Sequence, residues 1–240
     1  MTHVWTYWEG PMPEYISICL WSSRMICSSG LEFTCVTPEN VRTFLPPGTI
    51  HENYLKLQQP ALRADCVRAA LLARYGGWWW DADTVGINYP SKSIVNPESA
   101  LYMIWDKAPR RVLNGYIYLP PDSTIAKVWL GAVNRALMDD YEHIDWCSLG
   151  EGVLTNLLPE LGAVQIDRST FLPIDIDSSV GLFFGEEDFH KYLTHHTVCF
   201  GLNHSWFMYH KFEAMSLPAC EWHKSPLLIH RLLEHARRLL

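Results

Sequence analysis

The chain has 240 residues, with 19 basic and 26 acidic side chains that leave a net charge of −7. This length predicts one domain with a core of ordinary size. The acidic balance argues against a general nucleic-acid-binding protein, which normally carries a basic face. The seven cysteines form no CxxC pair and are odd in number, which predicts reduced thiols. The sequence shows neither a leader-like start nor an apolar run long enough to span a membrane, which favours a cytoplasmic protein.

Strands and helices alternate in the first part of the chain, where β-branched and aromatic runs are followed by amphipathic ones. The predicted elements are strands over residues 2–8, 31–36 and 78–80 and helices over residues 13–28, from Thr37 onward and over 60–75. The last of these helices has the strongest apolar periodicity and stops at Gly76 and Gly77.

The second part of the chain continues the alternation. Its predicted elements are strands over residues 101–105, 112–119 and 197–201 and helices over residues 123–138, 152–158 and 226–240. Together these patterns predict an α/β fold around a mostly parallel sheet, formed by a single domain of residues 1–240. The last helix carries leucines beside basic residues. It either lies on an anionic membrane surface or docks on the core with its basic face in solvent, and we favour docking.

Two acidic residues, Asp81 and Asp83, directly follow the apolar strand of residues 78–80. In an extended segment both carboxylates point to the same side, where they repel each other unless a cation lies beside them. Carboxylate oxygens suit Mg²⁺ or Mn²⁺, which keep waters and substrate phosphates as their other ligands. In open α/β sheets, ligands bind beyond the carboxyl ends of the strands. The pair therefore predicts a metal site for a phosphorylated substrate, although an isolated D-x-D is a weak signal.

The context of this pair is more specific. Residues 62–83 contain an Asp, two residues, an Arg, a helix ending in Tyr-Gly-Gly and an aromatic strand that leads into Asp-x-Asp. This order resembles the core of the D-x-D glycosyltransferases of the GT-A fold. That family includes the capsular polysaccharide synthesis proteins, the yeast-type initiating mannosyltransferases and the catalytic domain of large clostridial toxins. Residues 4–11 and 31–45 also resemble the family's first strand and turn and its second strand and following helix.

The resemblance implies a GT-A fold, with a mostly parallel central sheet flanked by helices. Residues 1–90 would form the nucleotide-sugar-binding half and residues 91–240 the acceptor-side half. The implied reaction moves a sugar from a UDP-sugar or GDP-sugar, with UDP favoured, to a hydroxyl of a glycan or protein-linked acceptor. It would use Mn²⁺ or Mg²⁺, retain the anomeric configuration and serve polysaccharide biosynthesis. Neither the donor sugar nor the acceptor follows from the sequence.

The resemblance also implies roles for the acidic residues of the motif. Asp81 would reach the ribose, the sugar or a metal-bound water, and Asp83 would bind the metal directly. Asp65 and Arg68 lie three residues apart on a predicted helix and point the same way. Asp65 would accept from a ribose or sugar hydroxyl. Arg68 would bind a phosphate or brace the carboxylates of Asp81 and Asp83. The alternative for Asp65 and Arg68 is a structural ion pair on the helix.

Five further residues are candidates for the same site. Trp5 and Tyr7 would stack on the nucleotide base, with core packing as their alternative. Asn114 lies on a strand that resembles the one carrying an Asn toward the sugar or the acceptor. Near the C-terminus, His204 matches a possible third metal ligand and Trp206 a residue that covers the diphosphate. With eleven histidines in the chain, the placement of His204 could equally be chance.

Two other functions remain open at this point. Asp81-Ala82-Asp83-Thr84 also fits the nucleophile motif of haloacid-dehalogenase-like phosphatases, in which Asp81 would attack phosphorus. That motif normally closes the first strand and needs a later acidic pair, for which Asp139 and Asp140 are poorly placed within a predicted helix. The second is a sugar-nucleotide-binding or glycan-binding module without turnover.

Overall fold

The computed structural model describes residues 1–105, 111–204 and 215–238. These residues form two compact units. The first contains Met1–Gly10, Leu31–Trp80 and Lys92–Ile166, and the second contains Pro11–Gly30, Asp81–Ser91 and Asp167–Leu240. Both units thus combine distant parts of the chain. The division into donor and acceptor halves at residue 90 is a statement about function and stays a prediction.

The described residues contain the following strands and α-helices in chain order. The strands are β1 (Thr2–Tyr7), β2 (Leu31–Val36), β3 (Gly77–Trp80), β4 (Thr84–Gly86), β5 (Leu101–Trp105), β6 (Arg111–Leu119), β7 (Val164–Gln165) and β8 (Cys199–Gly201). The helices are α1 (Glu14–Cys27), α2 (Val41–Phe44), α3 (Pro60–Tyr75), α4 (Lys92–Val95), α5 (Thr124–Asp140), α6 (Glu151–Glu160), α7 (Ile176–Phe183) and α8 (Leu228–Arg237).

A six-stranded sheet forms the centre of the first unit. Its strand order is β2-β1-β3-β6-β5-β7. The pairs β1–β2, β1–β3 and β5–β7 are parallel, whereas β3–β6 and β5–β6 are antiparallel. The sheet is therefore mostly parallel and flanked by helices, as predicted. Strand β3 lies inside the sheet and is buried along its whole length, which explains its run of three tryptophans.

The glycines at the end of α3 make the sharp turn into β3 possible. Gly76 and Gly77 have φ values of +67° and +99°, which residues with a side chain rarely adopt. A Cβ at Gly76 would lie 2.4 Å from the nitrogen of Pro121, and one at Gly77 would lie 2.5 Å from the carbonyl oxygen of His3. The turn that leads β3 to the D-x-D pair therefore needs glycine twice.

The second unit packs α1 and α8 on a small sheet formed by β4 and β8, which are antiparallel. Strand β4 is held on α1 by two serines. The Ser22 hydroxyl accepts from the backbone N–H of Gly86 at 2.9 Å, and the Ser23 hydroxyl donates to the carbonyl of Thr84 at 2.9 Å. A Cβ at Gly86 would lie 2.6 Å from the Ser22 carbonyl oxygen, so glycine permits this close approach. These bonds fix the segment that directly follows the D-x-D pair.

The sequence placed one helix start wrongly. The helix predicted from Thr37 begins at Val41, because Asn40 closes a turn ahead of it. The Asn40 side chain accepts from the N–H of Thr37 at 2.8 Å and donates to the carbonyl of Cys35 at 3.1 Å. Asn40, and not Thr37, therefore precedes the helix.

The short elements β4, β7, α4 and α7 were missed. Each is short, and pairing with distant segments stabilises the two strands.

Helix α8 docks on its own unit. Its apolar side chains, among them Leu228, Leu232 and Leu233, are fully buried, so the docked alternative for this helix is the one observed. The leucines that a membrane-bound helix would insert into lipid are thus packed inside the protein in the described part of this helix. No helix in the described ranges has the length and apolar character needed to cross a membrane.

The lowered pKa of His235 in α8 predicts that the protein loses stability in acid. Burial, together with the neighbouring His190 and Arg238, lowers the pKa of His235 below its usual 6.5. As pH falls below about 6.5, the unfolded state binds a proton first, so the free energy of unfolding decreases. We expect His235→Gln to lose less stability than the wild type between about pH 7.5 and pH 5.5, as measured by urea unfolding.

The matched control is His143, whose pKa is raised by a hydrogen bond to Asp140. Its contribution is present below its unfolded pKa and lost as pH rises through its folded pKa. His143→Gln should therefore not reduce the loss of stability in acid. An unchanged acid response in His235→Gln would contradict the assignment to His235.

Candidate functional site

Three predicted site residues meet in the first unit, and we call them the Asp65 cluster: Asp65, Arg68 and Asn114. Asp65 and Arg68 occupy neighbouring turns on one face of α3, and Asn114 projects from β6. Arg68 Nη1 lies 3.1 Å from Asp65 Oδ1, and Asn114 Nδ2 donates to the same oxygen at 3.0 Å. The Arg68 guanidinium also lies over the ring of Trp79, 4.6 Å from its centroid.

The Asp65 cluster is more buried than a surface ion pair. Asp65 and Arg68 are 6% and 5% exposed, so neither charge is screened by much solvent. The carboxylate orients the Arg68 fork and the Asn114 amide, and both of these groups donate to oxygen ligands. The alternative of an ion pair on the surface of the helix is therefore wrong. The pair is buried, and it contacts Trp79 of β3 and Asn114 of β6.

Gly150 is a residue of this site that the sequence reasoning missed. A Cβ at this position would lie 1.9 Å from Asn114 Nδ2 and 3.0 Å from Asp65 Oδ2. Gly150 directly precedes α6, so the loop before that helix closes over the Asp65 cluster. Gly150 has a φ of −108°, so its backbone does not lie in the left-handed region that favours glycine. A side chain is excluded because the loop comes close to Asn114 and Asp65.

We expect Gly150→Ala to reduce the transfer rate by more than its loss of folding free energy can explain. The added methyl must displace the Asn114 amide or the loop, which typically costs about 1–3 kcal/mol of folding free energy. The same shift misplaces Asn114 and Asp65, which are predicted to hold the substrate. Transfer rate and urea unfolding measured on the same sample check this expectation.

Gly131→Ala in α5 is the matched control for this substitution, because a Cβ there meets nothing within 4 Å. It should gain about 0.5–1 kcal/mol from helix propensity and keep full activity. Equal activity of the two alanine variants would show that the Gly150 approach has no bearing on the site.

Trp5 and Tyr7, in the second half of β1, are largely buried. Trp5 is 3% exposed, donates from its indole to the Gly76 carbonyl at 3.0 Å and stacks on the His3 ring. The Tyr7 hydroxyl donates to Glu9 at 2.6 Å. These are the contacts of the core-packing alternative, and base stacking by either residue stays a prediction.

Trp8 follows β1 directly and is half-buried, so its ring retains exposed surface. Its backbone N–H donates to the Val36 carbonyl at 3.0 Å, which places it at the carboxyl ends of both β1 and β2. This is the edge at which ligands of open α/β sheets bind. Trp8 differs from the buried Trp5 because it lies one residue beyond β1, whose last four residues are all buried.

The D-x-D pair, Asp81 and Asp83, lies in the second unit, in the segment directly before β4. The carbonyl and the carboxylate of Asp83 both accept from the segment after β8: its carbonyl from the N–H of Leu202 at 3.1 Å, and its carboxylate from the N–H of His204. Asn203, between these two donors, adopts a left-handed φ of 57° that turns the chain toward Asp83. The Thr84 hydroxyl donates to the Asp81 carbonyl. The loop is thus held at both acidic residues.

His204 therefore lies beside Asp83, as predicted, but its contact with the carboxylate is made by the backbone. Its imidazole Nδ1 is hydrogen-bonded to the Tyr15 hydroxyl from α1. Burial lowers the pKa of His204 and favours a neutral ring. Burial, and then the negative charge of Asp83, raise the pKa values of Tyr15 and Cys19. Asp83 is thus a charge in poorly solvated surroundings, 9% exposed.

These surroundings fit a divalent cation bound mainly by the D-x-D carboxylates. In the described ranges, no three His, Cys, Asp or Glu side chains are grouped so as to hold a metal by themselves. Mg²⁺ and Mn²⁺ sites commonly use one or two carboxylates and complete their shell with substrate phosphates and water. The Asn203 amide nitrogen is buried and has no hydrogen-bond partner within residues 1–105, 111–204 and 215–238, so a donor for a phosphate oxygen is present next to Asp83. Trp206 lies outside the described residues.

Comparison with known proteins follows the same lines. Residues 1–116 match the family model described as capsular polysaccharide synthesis protein. A structure titled as a glycosyltransferase involved in the glycosylation of the major capsid of PBCV-1 is similar, with a TM-score of 0.54 and 13% identity over 90% of this chain and 98% of that one. The PaToxG glycosyltransferase structure has a TM-score of 0.47 and 12% identity over 100% of this chain and 86% of that one. No curated protein matches the chain.

The fold is the GT-A fold, as predicted, and the likeness to the first of these structures supports it. The family model covers a little under half of the chain, and the solved structure, at 13% identity, shows the fold alone. Over residues 1–116 the chain resembles the capsular polysaccharide synthesis proteins, which confirms the resemblance seen in residues 62–83. The acidic pair that a phosphatase would need, Asp139 and Asp140, is exposed at the end of α5, which removes the support for that alternative.

Proposed function

We propose that the protein transfers a sugar from a nucleoside diphosphate sugar, with UDP favoured over GDP, to a hydroxyl of a glycan or protein-linked acceptor. The observation that carries this proposal is the fixed position of Asp83. Its carboxylate is buried and accepts from the His204 amide, and Asp83 lies three positions after the carboxyl end of the buried strand β3. A polysaccharide is the acceptor class that the family match favours.

Each group of donor-binding residues has a separate task in this proposal. The exposed part of the Trp8 ring is the better-placed aromatic surface for the nucleotide base, ahead of Trp5 and Tyr7. Asp65 accepts from a hydroxyl of the transferred sugar. Arg68 and Asn114, both already oriented by Asp65, donate to the sugar or to a phosphate oxygen.

The D-x-D segment would hold the diphosphate end of the donor. We propose Asp83 as a direct ligand of Mn²⁺ or Mg²⁺ and Asp81 as a ligand through water or a partner of the ribose. The bound cation would neutralise charge on the departing diphosphate. Asn203 supplies a buried amide donor for a phosphate oxygen. His204 contributes its backbone N–H to Asp83, and a role of its ring as third ligand stays a prediction.

The reaction breaks the bond between the sugar C1 and the diphosphate oxygen and forms a bond from C1 to the acceptor oxygen. The acceptor hydroxyl loses its proton, and we propose that the departing phosphate oxygen takes it. Positive charge develops on the sugar ring in the transition state, as in other glycosyl chemistry. The Asp65 carboxylate stabilises that charge if it lies beside the ring. This course retains the anomeric configuration without a covalent enzyme intermediate.

A panel of UDP-sugars and GDP-sugars tests the proposal. Incubation with Mn²⁺ should release the nucleoside diphosphate slowly from one donor, and EDTA should stop the release. Intact sugar and diphosphate products exclude a phosphatase, which would release inorganic phosphate. Metal-dependent binding of a nucleotide sugar with no turnover for any donor would leave the binding-module alternative in place of ours. NMR of the transferred sugar would then report retention or inversion.

A further inference from the structure

A polar cleft opens at the start of α3 in the first unit. It encloses about 380 Å³, within the range of small-ligand sites. One wall comes from Lys56, Gln58 and Gln59 before α3, and the other from Tyr141 and Glu142 after α5. Neither wall contains a residue of the D-x-D segment. The cleft is therefore a site separate from the groups assigned to the donor.

The chemistry of the lining suits an uncharged polyhydroxylated ligand. The Gln58 and Gln59 amides and the Glu142 carboxylate supply both donors and acceptors. Lys56 and Glu142 are the charged residues of the lining, and their charges balance. Gln59 directly precedes α3 but makes no side-chain capping bond, and it is exposed to the cleft's solvent. The Tyr141 ring adds an aromatic surface of the kind on which sugar rings pack, with Lys56 Nζ 5.2 Å from its centroid.

Each wall of the cleft contains one residue that lies close along the chain to the Asp65 cluster or to Gly150, which contacts it. On one side, the lining residue Leu62 lies one helical turn before Asp65 on the same face of α3. On the other side, the lining residue Ile144 is followed within one short loop by Gly150, whose backbone closes on Asp65 and Asn114. Trp146, in the middle of that loop, is 47% exposed. It is the most exposed tryptophan in the part of the chain that the structure describes.

We infer that this cleft binds a neutral sugar unit of the acceptor, so that the acceptor is a glycan and not a bare protein side chain. The inference rests on the proposed function, because the Asp65 cluster must hold the donor sugar for the cleft to be on the acceptor side. Trp146, in the loop between Ile144 and Gly150, supplies a second exposed aromatic side chain on the segment that carries Tyr141. The substrate class of the acceptor is then set by the residues 56–59 and 141–146.

Binding of simple glycosides to the wild-type protein tests the inference. The probes are the methyl glycosides of glucose, galactose and mannose at millimolar concentration, followed by ligand-observed saturation-transfer NMR without any donor. We expect one of them to bind, and a saturating nucleoside diphosphate with Mn²⁺ should not displace it. Tyr141→Ala and Gln59→Ala should each raise its Kd about tenfold. Gln59 is exposed and caps nothing, so its variant keeps the fold even if Tyr141→Ala does not.

Tyr89→Ala is the matched control, since Tyr89 is 66% exposed and lies in the second unit. It should bind the glycoside as the wild type does. The inference is overturned if no glycoside binds, if the nucleotide displaces it, or if Gln59→Ala and Tyr141→Ala bind as tightly as Tyr89→Ala. Failure of the proposed function has a different sign, namely no nucleotide release from any donor by the wild type.

Discussion

Asp83→Asn is expected to abolish metal-dependent release of nucleotide from the donor, with a rate loss of about 10²–10³ or more. The asparagine oxygen can still accept from the His204 amide, so the loop after β8 keeps its position. What disappears is the negative charge that a divalent cation needs. Because Asp83 is only 9% exposed, solvent cannot replace that charge. The measurement is nucleotide release as a function of Mn²⁺ concentration.

The control for this substitution is Asp122→Asn, which changes a carboxylate that is 93% exposed and paired with Lys127. It removes the same charge from the chain and should leave both the rate and the Mn²⁺ dependence unchanged. Full activity of Asp83→Asn with an unaltered Mn²⁺ response would rule out Asp83 as the metal ligand. Loss of activity in both variants would point to a general charge effect.

Arg68→Met is expected to lower the free energy of unfolding by about 3–5 kcal/mol, the usual consequence of removing one partner of a buried ion pair. The methionine fills most of the space but leaves the buried Asp65 carboxylate without its cationic partner. It also removes the guanidinium from the face of Trp79. Urea unfolding of the purified variant measures the change.

The double variant Asp65→Asn/Arg68→Met separates the ion pair from packing. Since it leaves no uncompensated charge, it should recover a large part of the lost stability while remaining inactive as a transferase. Arg111→Met is the exposed control: its pair with Glu151 has a 46% exposed arginine side chain and should change stability by at most about 1 kcal/mol. Equal losses in Arg68→Met and Arg111→Met would show that burial does not strengthen the Asp65 pair.

The sequence predicted the elements whose signals are local. Helix α3 and strand β3 were found nearly to the residue, because apolar spacing, the two glycines and a short apolar run all act over a few positions. The order of motif residues up to Asp83 was enough for the family resemblance, which the match over residues 1–116 confirms. The helix start near Thr37 failed, since the Asn40 turn depends on the carbonyl of Cys35 at the end of β2.

The candidate site was predicted as a set of residues but not as an arrangement. Asp65 and Arg68 were paired correctly because three residues on a helix fix their relative direction. Asn114, forty-nine positions from Asp65, joins them only through the sheet. No local pattern marks the approach of Gly150 to Asp65 and Asn114, since the constraint is a contact between segments distant in the chain.

By itself, the sequence determined the resemblance to the capsular polysaccharide synthesis proteins, the mostly parallel sheet and the acidic residues at the end of β3. Only the tertiary structure decided that Asp65 and Arg68 are buried, that His204 reaches Asp83 by its backbone and that Trp5 faces a core while Trp8 does not. The physical reason is the distance along the chain over which each kind of interaction acts. Periodicity and turn chemistry act between neighbouring residues, whereas burial and the donors around a carboxylate come from segments that meet only after the chain has folded.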